Sequence, residues 1–176
     1  MESMFRDLKA HEIDCRIAQI DKDGEWLSLL LYKDARVDQN ILDETVGPYN
    51  WQRDHKEFKG NIYCGISIWD EKKQCWVSKW DCGKESFTES EKGEASDSFK
   101  RAGFNWGIGR ELYTAPKIFI KNEDEKGTNF YTTERNGKMI CKTSFYVEKI
   151  EITNKEITGI AIKNNKDKRV FVYKKG

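Results

Sequence analysis

SDSFKRAGFNWGIGREL, residues 96–112, sets two readings against each other, and the choice between them decides the fold. The Gly-Ile-Gly-Arg at 107–110 is half of a nucleotide-binding fingerprint, whereas the residues before it read as one long helix. A dinucleotide fingerprint or a phosphate loop sets its glycines between a strand and a helix N-terminus, followed by a third glycine or a Gly-Lys-Ser/Thr. Here Gly107 and Gly109 close a helical pattern, and Leu112 stands where the third glycine would be. The phosphate-loop reading fails on that context. The glycines read instead as a helix stop, with one of them in the left-handed cap.

Turned at about 100° per residue, Ala95, Phe99, Ala102 and Trp106 fall on one stripe with Gly103 beside it. That stripe is core and predicts a helix over 94–108. Gly103 and Gly107 each cost roughly 1 kcal/mol against alanine inside a helix, so they are expected to permit close approach to a sheet beneath. Lys100, Arg101 and Phe104 are left on the other side. This is either a solvated charged face or a single-strand platform, in which cations neutralise phosphates and rings accept base stacking worth about 1–3 kcal/mol each. Burial against a neighbouring subunit explains Phe104 equally well.

Upstream, three strand-like runs at 51–58, 61–69 and 75–82 are separated by Lys59-Gly60 and by Asp70-Glu71-Lys72-Lys73. Links that short imply an antiparallel meander. In the middle run Ile62, Cys64, Ile66 and Ile68 alternate with Asn61, Tyr63, Gly65 and Ser67, so one face is apolar and the other mostly polar. Before the meander, Asp34-Ala35-Arg36-Val37 opens a helix that Gly47-Pro48 stops. The meander and the long helix together give an α+β fold with a β-β-β-α core. Residues 83–93 read as a polar loop.

Residues 4–19 read as an amphipathic helix, Asp21-Lys22-Asp23-Gly24 as a turn and 26–32 as a buried strand. Past Pro116 come a short strand at 117–121, a charged mobile stretch at 122–138, and three alternating runs, FYVEKIEI, EITGIAI and RVFVYK, which make a small C-terminal β element. The expected division is 1–115 and 116–176.

At 176 residues the chain has room for a real core, and its 12% aromatic content excludes disorder, although 35% charged residues imply much solvated surface. The 31 basic and 30 acidic side chains leave a net charge of +1, so any nucleic-acid affinity must come from local clustering. Cys15, Cys64, Cys75, Cys82 and Cys141 form no C-x-x-C pair, and His11 with Cys15 supplies only two ligands on one helical face, so no metal or other cofactor is expected. Free thiols and the lack of an apolar run of signal-peptide or membrane-span length point to the cytoplasm, with no membrane partner.

The order Ala35-Arg36-Val37, Val46-Gly47-Pro48-Tyr49-Asn50-Trp51, Tyr63-Cys64-Gly65-Ile66-Ser67-Ile68, Ser96-Asp97-Ser98-Phe99-Lys100-Arg101-Ala102-Gly103 and Trp106-Gly107-Ile108-Gly109 resembles the Rad-fifty-two family of single-strand annealing proteins. The short bacterial and phage members are the nearest in pattern, and the likeness runs over about residues 8–113. It implies a β-β-β-α annealing unit that assembles into rings or filaments and pairs complementary DNA strands in recombination and double-strand break repair, without ATP or metal. It implies single-stranded DNA and the complementary strand as partners, with other copies of the chain and a single-strand-binding protein. It places Arg36, Tyr49, Lys100 and Arg101 along the strand groove. Eukaryotic members carry a further basic residue where this chain has Phe104, so the groove here is expected to stack more and neutralise less.

Arg53, Lys56, Lys59, Lys72, Lys73 and Lys79 form either a second basic track or a solvated sheet face. Trp51, Trp69, Trp76, Trp80 and Trp106 are expected in the core or at a subunit interface. A non-annealing interaction or inhibitory module on the same fold is the alternative. A nuclease is disfavoured, because Asp70, Glu71, Asp81, Glu85, Glu94 and Asp97 show no spacing suited to a pair of catalytic metals.

Overall fold

The computed structural model describes residues 4–83, 90–122 and 128–176. After a short 3-10 turn at Ala10–Glu12, the strands are β1 (Asp14–Ile20), β2 (Trp26–Tyr32), β3 (Trp51–Phe58), β4 (Asn61–Asp70), β5 (Cys75–Cys82), β6 (Ile118–Lys121), β7 (Thr132–Arg135), β8 (Lys138–Cys141), β9 (Phe145–Thr153), β10 (Glu156–Asn164) and β11 (Arg169–Lys174). The helices are α1 (Ala35–Val46) and α2 (Ser90–Trp106). The fold is thus α+β with antiparallel strands throughout its sheets.

By contacts the chain forms two compact units. One joins the segment ending at Asp7 to Lys33–Arg110, and the other joins Leu8–Tyr32 to Glu111–Gly176. The division is therefore discontinuous in sequence, and Leu8–Tyr32 belongs with the C-terminal strands rather than with the helices that follow it.

In the first unit β4 is the central strand of a three-stranded sheet, with β3 and β5 at its edges. Cys64, Ile66 and Ile68 of β4 are buried, as are Phe99 and Ala102 of α2, and α2 packs on β4 and β5. Glu94 of α2 accepts the Ile62 N–H at 2.7 Å, and Trp106 Nε1 donates to the Ile66 carbonyl at 2.9 Å. These two bonds fix the helix along the strand. Gly107 and Gly109 both take left-handed φ, 97° and 69°, which ends α2 and makes the strand–glycine–helix context of a phosphate loop impossible. Of the loop expected at 83–93, residues 84–89 lie outside the described residues, and α2 already begins at Ser90.

The second unit holds a six-stranded sheet in the order β11-β10-β9-β1-β2-β6. Its edge strands β6 and β11 approach each other, so the sheet curls toward a barrel around Leu27, Leu29, Ile118, Ile120, Val147, Ile157, Ile160 and Ile162. The expected small C-terminal β element is only half of this sheet. The helix expected over 4–19 is replaced by the 3-10 turn and β1, because Cys15 and Ile17 alternate with Arg16 and Ala18 and pair antiparallel with β2. A period of two with a partner strand prevails over an i, i+4 pattern without one. Within the stretch expected to be a mobile link at 122–138, residues 123–127 lie outside the described residues. The rest includes β7 and the start of β8, a hairpin turned by Asn136-Gly137. Among the described residues no helix is long and apolar enough to cross a membrane.

Candidate nucleic-acid interface

Asp34 caps α1 by accepting the Arg36 N–H at 2.8 Å, and the Arg36 guanidinium returns to the same carboxylate at 2.8 and 3.3 Å. That donation, with a smaller contribution from the charge of Lys100, holds the Asp34 carboxyl below the usual carboxylate range. Arg36 thus sits on this acidic cap, and the charge of Lys100 reaches it as well. Tyr49 is 92% exposed in the turn after α1, and roughly 15 Å of helix axis separates it from Arg36 at about 1.5 Å per residue. It does not join their cluster.

One turn into α1, Asp38 is fully buried, and each of its carboxylate oxygens accepts from the ammonium of Lys33, at 2.5 and 2.7 Å. Lys33 also donates to the Lys100 carbonyl at 3.4 Å, and its Nζ lies 4.3 Å from the centre of the Phe104 ring. Burial pushes the Asp38 carboxyl up to about 6, against the pull of Lys33. Gly103 admits this arrangement, since a Cβ there would collide with Asp38. The close approach expected of Gly103 is therefore to α1, not to the sheet. Phe104 is half-buried rather than exposed, with one ring face turned to a cation of its own unit. A helical projection of α2 alone misses this because Lys33 lies before α1.

Arg101 faces the sheet edge, where its Nε lies 3.3 Å from Asp81 Oδ1, and Asn105 donates to the other oxygen of Asp81 at 3.2 Å. The crest of α1 and α2 thus carries Lys33, Arg36, Lys100 and Arg101 against Asp34, Asp38 and Asp81. Its local field is weaker than the Lys-Arg pair alone suggests.

The six cations of the expected second track do not form one line. Arg53 and Lys79 pair across Ile66 on the side facing α2, where Arg53 lies over the Phe99 ring and Lys79 over the Trp106 ring, at 5.2 and 4.5 Å. Lys56 points to the opposite face. Lys59 sits in the β3–β4 turn, and Lys72 and Lys73 wrap Asp70 in the β4–β5 turn at the other end of β4. Strand alternation sends neighbours to opposite faces, and the turns split the remainder.

The face turned away from α2 holds what the sequence reading missed. Register places Lys56 and Phe58 of β3, Tyr63, Gly65 and Trp69 of β4, and Trp76 and Trp80 of β5 on this side. Trp76 is 41% exposed and Trp80 37%, so these rings are not core. Trp80 lies across Gly65, where an added Cβ would stand 2.6 Å from its Cζ2, and Lys56 Nζ is 4.7 Å from its ring centre. Trp69 and Trp76 meet edge to face at 5.6 Å, and Phe58 and Tyr63 at 6.3 Å. Trp51 and Trp106, on the α2 side, are half-buried, with Trp51 Nε1 donating to Asp43 at 2.7 Å. The missed signal was the alternation of Trp76, Ser78 and Trp80 with Val77 and Lys79, in step with the polar face of β4. Five rings and a lysine on an open sheet can stack unpaired bases, while Asp54 and Glu71 at its margins limit its positive potential.

Among the described residues, no three His, Cys, Asp or Glu side chains are grouped to hold a metal ion. Compared with protein-family models, with curated proteins and with solved structures, the chain matches none.

Proposed function

We propose that the Lys33–Arg110 unit binds single-stranded DNA and, as an oligomer, anneals complementary strands in recombination and break repair without hydrolysing a nucleotide. The observation that carries this reading is the open sheet face of Phe58, Tyr63, Trp69, Trp76 and Trp80, with Lys56 against Trp80. Exposed rings beside a cation suit bases freed from their stack, and they accept any sequence, because every base has a π-face. The order of motifs resembling the Rad-fifty-two family supports the same conclusion. Arg36 and Lys100 supply phosphate contacts. Base pairing, at about 1.4 kcal/mol per stacked step, then drives annealing once a strand is held open.

One unit offers few free cations, so useful affinity needs several subunits along one strand. The edges of β3 and β5 pair with no further strand among the described residues, which leaves backbone groups for joining subunits. The neutralisation of the crest by Asp34, Asp38 and Asp81 favours a second reading, a non-annealing interaction or inhibitory module on the same fold.

Fluorescence anisotropy with labelled oligothymidine across a salt series, paired with strand-annealing kinetics, separates the two. Annealing predicts binding whose log-log salt slope is about −0.7 per phosphate neutralised, and loss of binding in Trp76→Ala with Trp80→Ala. A chain that ignores single strands at low salt leaves only the interaction module.

A further inference from the structure

The second unit has an aromatic and basic face of its own. Along β2, Leu27 and Leu29 point into the barrel, so Trp26, Ser28 and Leu30 point outward. Register sets Phe119 beside Ser28, Lys121 beside Trp26 and Arg16 beside Leu30 on the same outer face. Phe119 is 50% exposed and meets Trp26 edge to face at 5.6 Å. Tyr113, 67% exposed, stands over this face from the short turn at Arg110–Thr114. That turn is fastened to the barrel: Thr114 Oγ1 donates to the Glu111 carbonyl at 2.7 Å and accepts the Ile157 N–H at 2.8 Å, and Glu111 accepts the Leu8 N–H at 2.7 Å. Ser28, Leu30, Tyr113, Lys117 and Phe119 enclose a cleft of about 470 Å³.

We infer that this outer face of β1, β2 and β6 is a second binding site for single-stranded nucleic acid, with Phe119 and Tyr113 stacking bases and Arg16, Lys117 and Lys121 contacting phosphates. The charge decides the occupant. The cations fringe the rings along the face, and the nearby acids, Asp14 and Glu25, sit at the ends of the β1–β2 hairpin. An apolar peptide or a second copy of this chain has no need of three lysine and arginine side chains around its groove, whereas a phosphate backbone does. Open rings require bases out of their duplex, so a single strand fits and a duplex does not. The cleft is within the roughly 300–1,000 Å³ of small-ligand sites, and its fastened turn holds Tyr113 ready for a base. None of these residues belongs to the Lys33–Arg110 unit, so the inference does not depend on the reading of that unit.

Oligothymidine carrying bromodeoxyuridine is photo-cross-linked to the full chain, and the attached peptides are identified by mass spectrometry. Cross-links at residues 113–121 are expected in the unchanged protein and also in Trp76→Ala with Trp80→Ala. Tyr113→Ala with Phe119→Ala is expected to remove them and to weaken binding about ten-fold or more. Lys117→Glu with Lys121→Glu, which alters only exposed charge, is expected to do the same. Binding with cross-links confined to Lys33–Arg110 overturns this site and leaves the annealing unit standing, and cross-links confined to 113–121 do the reverse. If neither pair of substitutions weakens binding, or if they only dissociate a dimer in sedimentation, the site is not for a strand. No binding to any single strand overturns both.

Discussion

Lys33 and Asp38 form a fully buried ion pair, with Nζ 2.5 and 2.7 Å from the two carboxylate oxygens, and Phe104 and the Lys100 carbonyl complete the enclosure. The pair joins the start of α1 to the middle of α2, so the cations Arg36 and Lys100 depend on it for their spacing. Breaking such a pair costs more than forming it gains, because the partner left behind is a charge without compensation.

Asp38→Asn is therefore expected to destabilise the protein by about 3–5 kcal/mol in urea unfolding. Replacing both partners by apolar residues, Lys33→Met with Asp38→Leu, should recover most of that loss. A cost below about 1 kcal/mol for Asp38→Asn would show that water reaches Lys33 and that the pair is not the clamp described above.

Gly65 and Trp80 make a second test. A Cβ at 65 would stand 2.6 Å from Trp80 Cζ2, so Gly65→Ala must lift the indole off the sheet, at a cost of about 1–3 kcal/mol. In a Trp80→Ala background the same change should be neutral or stabilising, since alanine is otherwise better than glycine in a strand. A double-mutant cycle measures the coupling. Additive costs would mean that the ring does not rest on Gly65.

The meander was legible because its signals are local. Lys59-Gly60 and the turn after Asp70 end strands, the middle one of which alternates apolar with mostly polar residues, and α1 is bounded by its Asp34 cap and Gly47 stop. The barrel was not legible, because β1 meets β9 only near Asp14 and Tyr146, across more than half of the chain, and no local period announces such a pairing. The same limit applied to the site. Lys100 and Arg36 could be named from the likeness, but the carboxylates set against α2 arrive from α1 and β5, which a reading of α2 alone does not include. Residue type alone puts Trp76 and Trp80 in the core or at a subunit interface, and strand register turns them to the open face of the sheet, out of the core.

Lys100 and Arg101, adjacent in sequence, should behave differently toward DNA. Arg101 is already matched by Asp81 at 3.3 Å, whereas Lys100 contributes only its charge at the Asp34 cap that Arg36 occupies. Lys100→Ala is expected to reduce the salt slope of single-strand binding by about 0.7, the release from one phosphate, and Arg101→Ala by clearly less. Equal losses would show that the strand displaces Asp81. If the two substitutions together leave binding and annealing intact, α2 is not part of the interface.

Glu148 on β9 accepts two hydrogen bonds from Arg169 of β11, at 2.7 and 2.8 Å, and has Lys163 of β10 at 3.4 Å. Donation from Arg169 above all brings its carboxyl down to about 2, from an ordinary value near 4.5. A carboxylate whose folded pKa is depressed contributes stability in full above its unfolded value, and loses that contribution as pH falls through the folded one. The difference in unfolding free energy between the unchanged protein and Glu148→Gln should thus be constant above about pH 5 and shrink steadily between about pH 4.5 and 2. An NMR titration of the Glu148 side chain should give a midpoint near the lower end of that window. A midpoint close to 4.5, or a difference that persists unchanged at pH 2, would mean that the Arg169 pair does not hold the three strands together in solution.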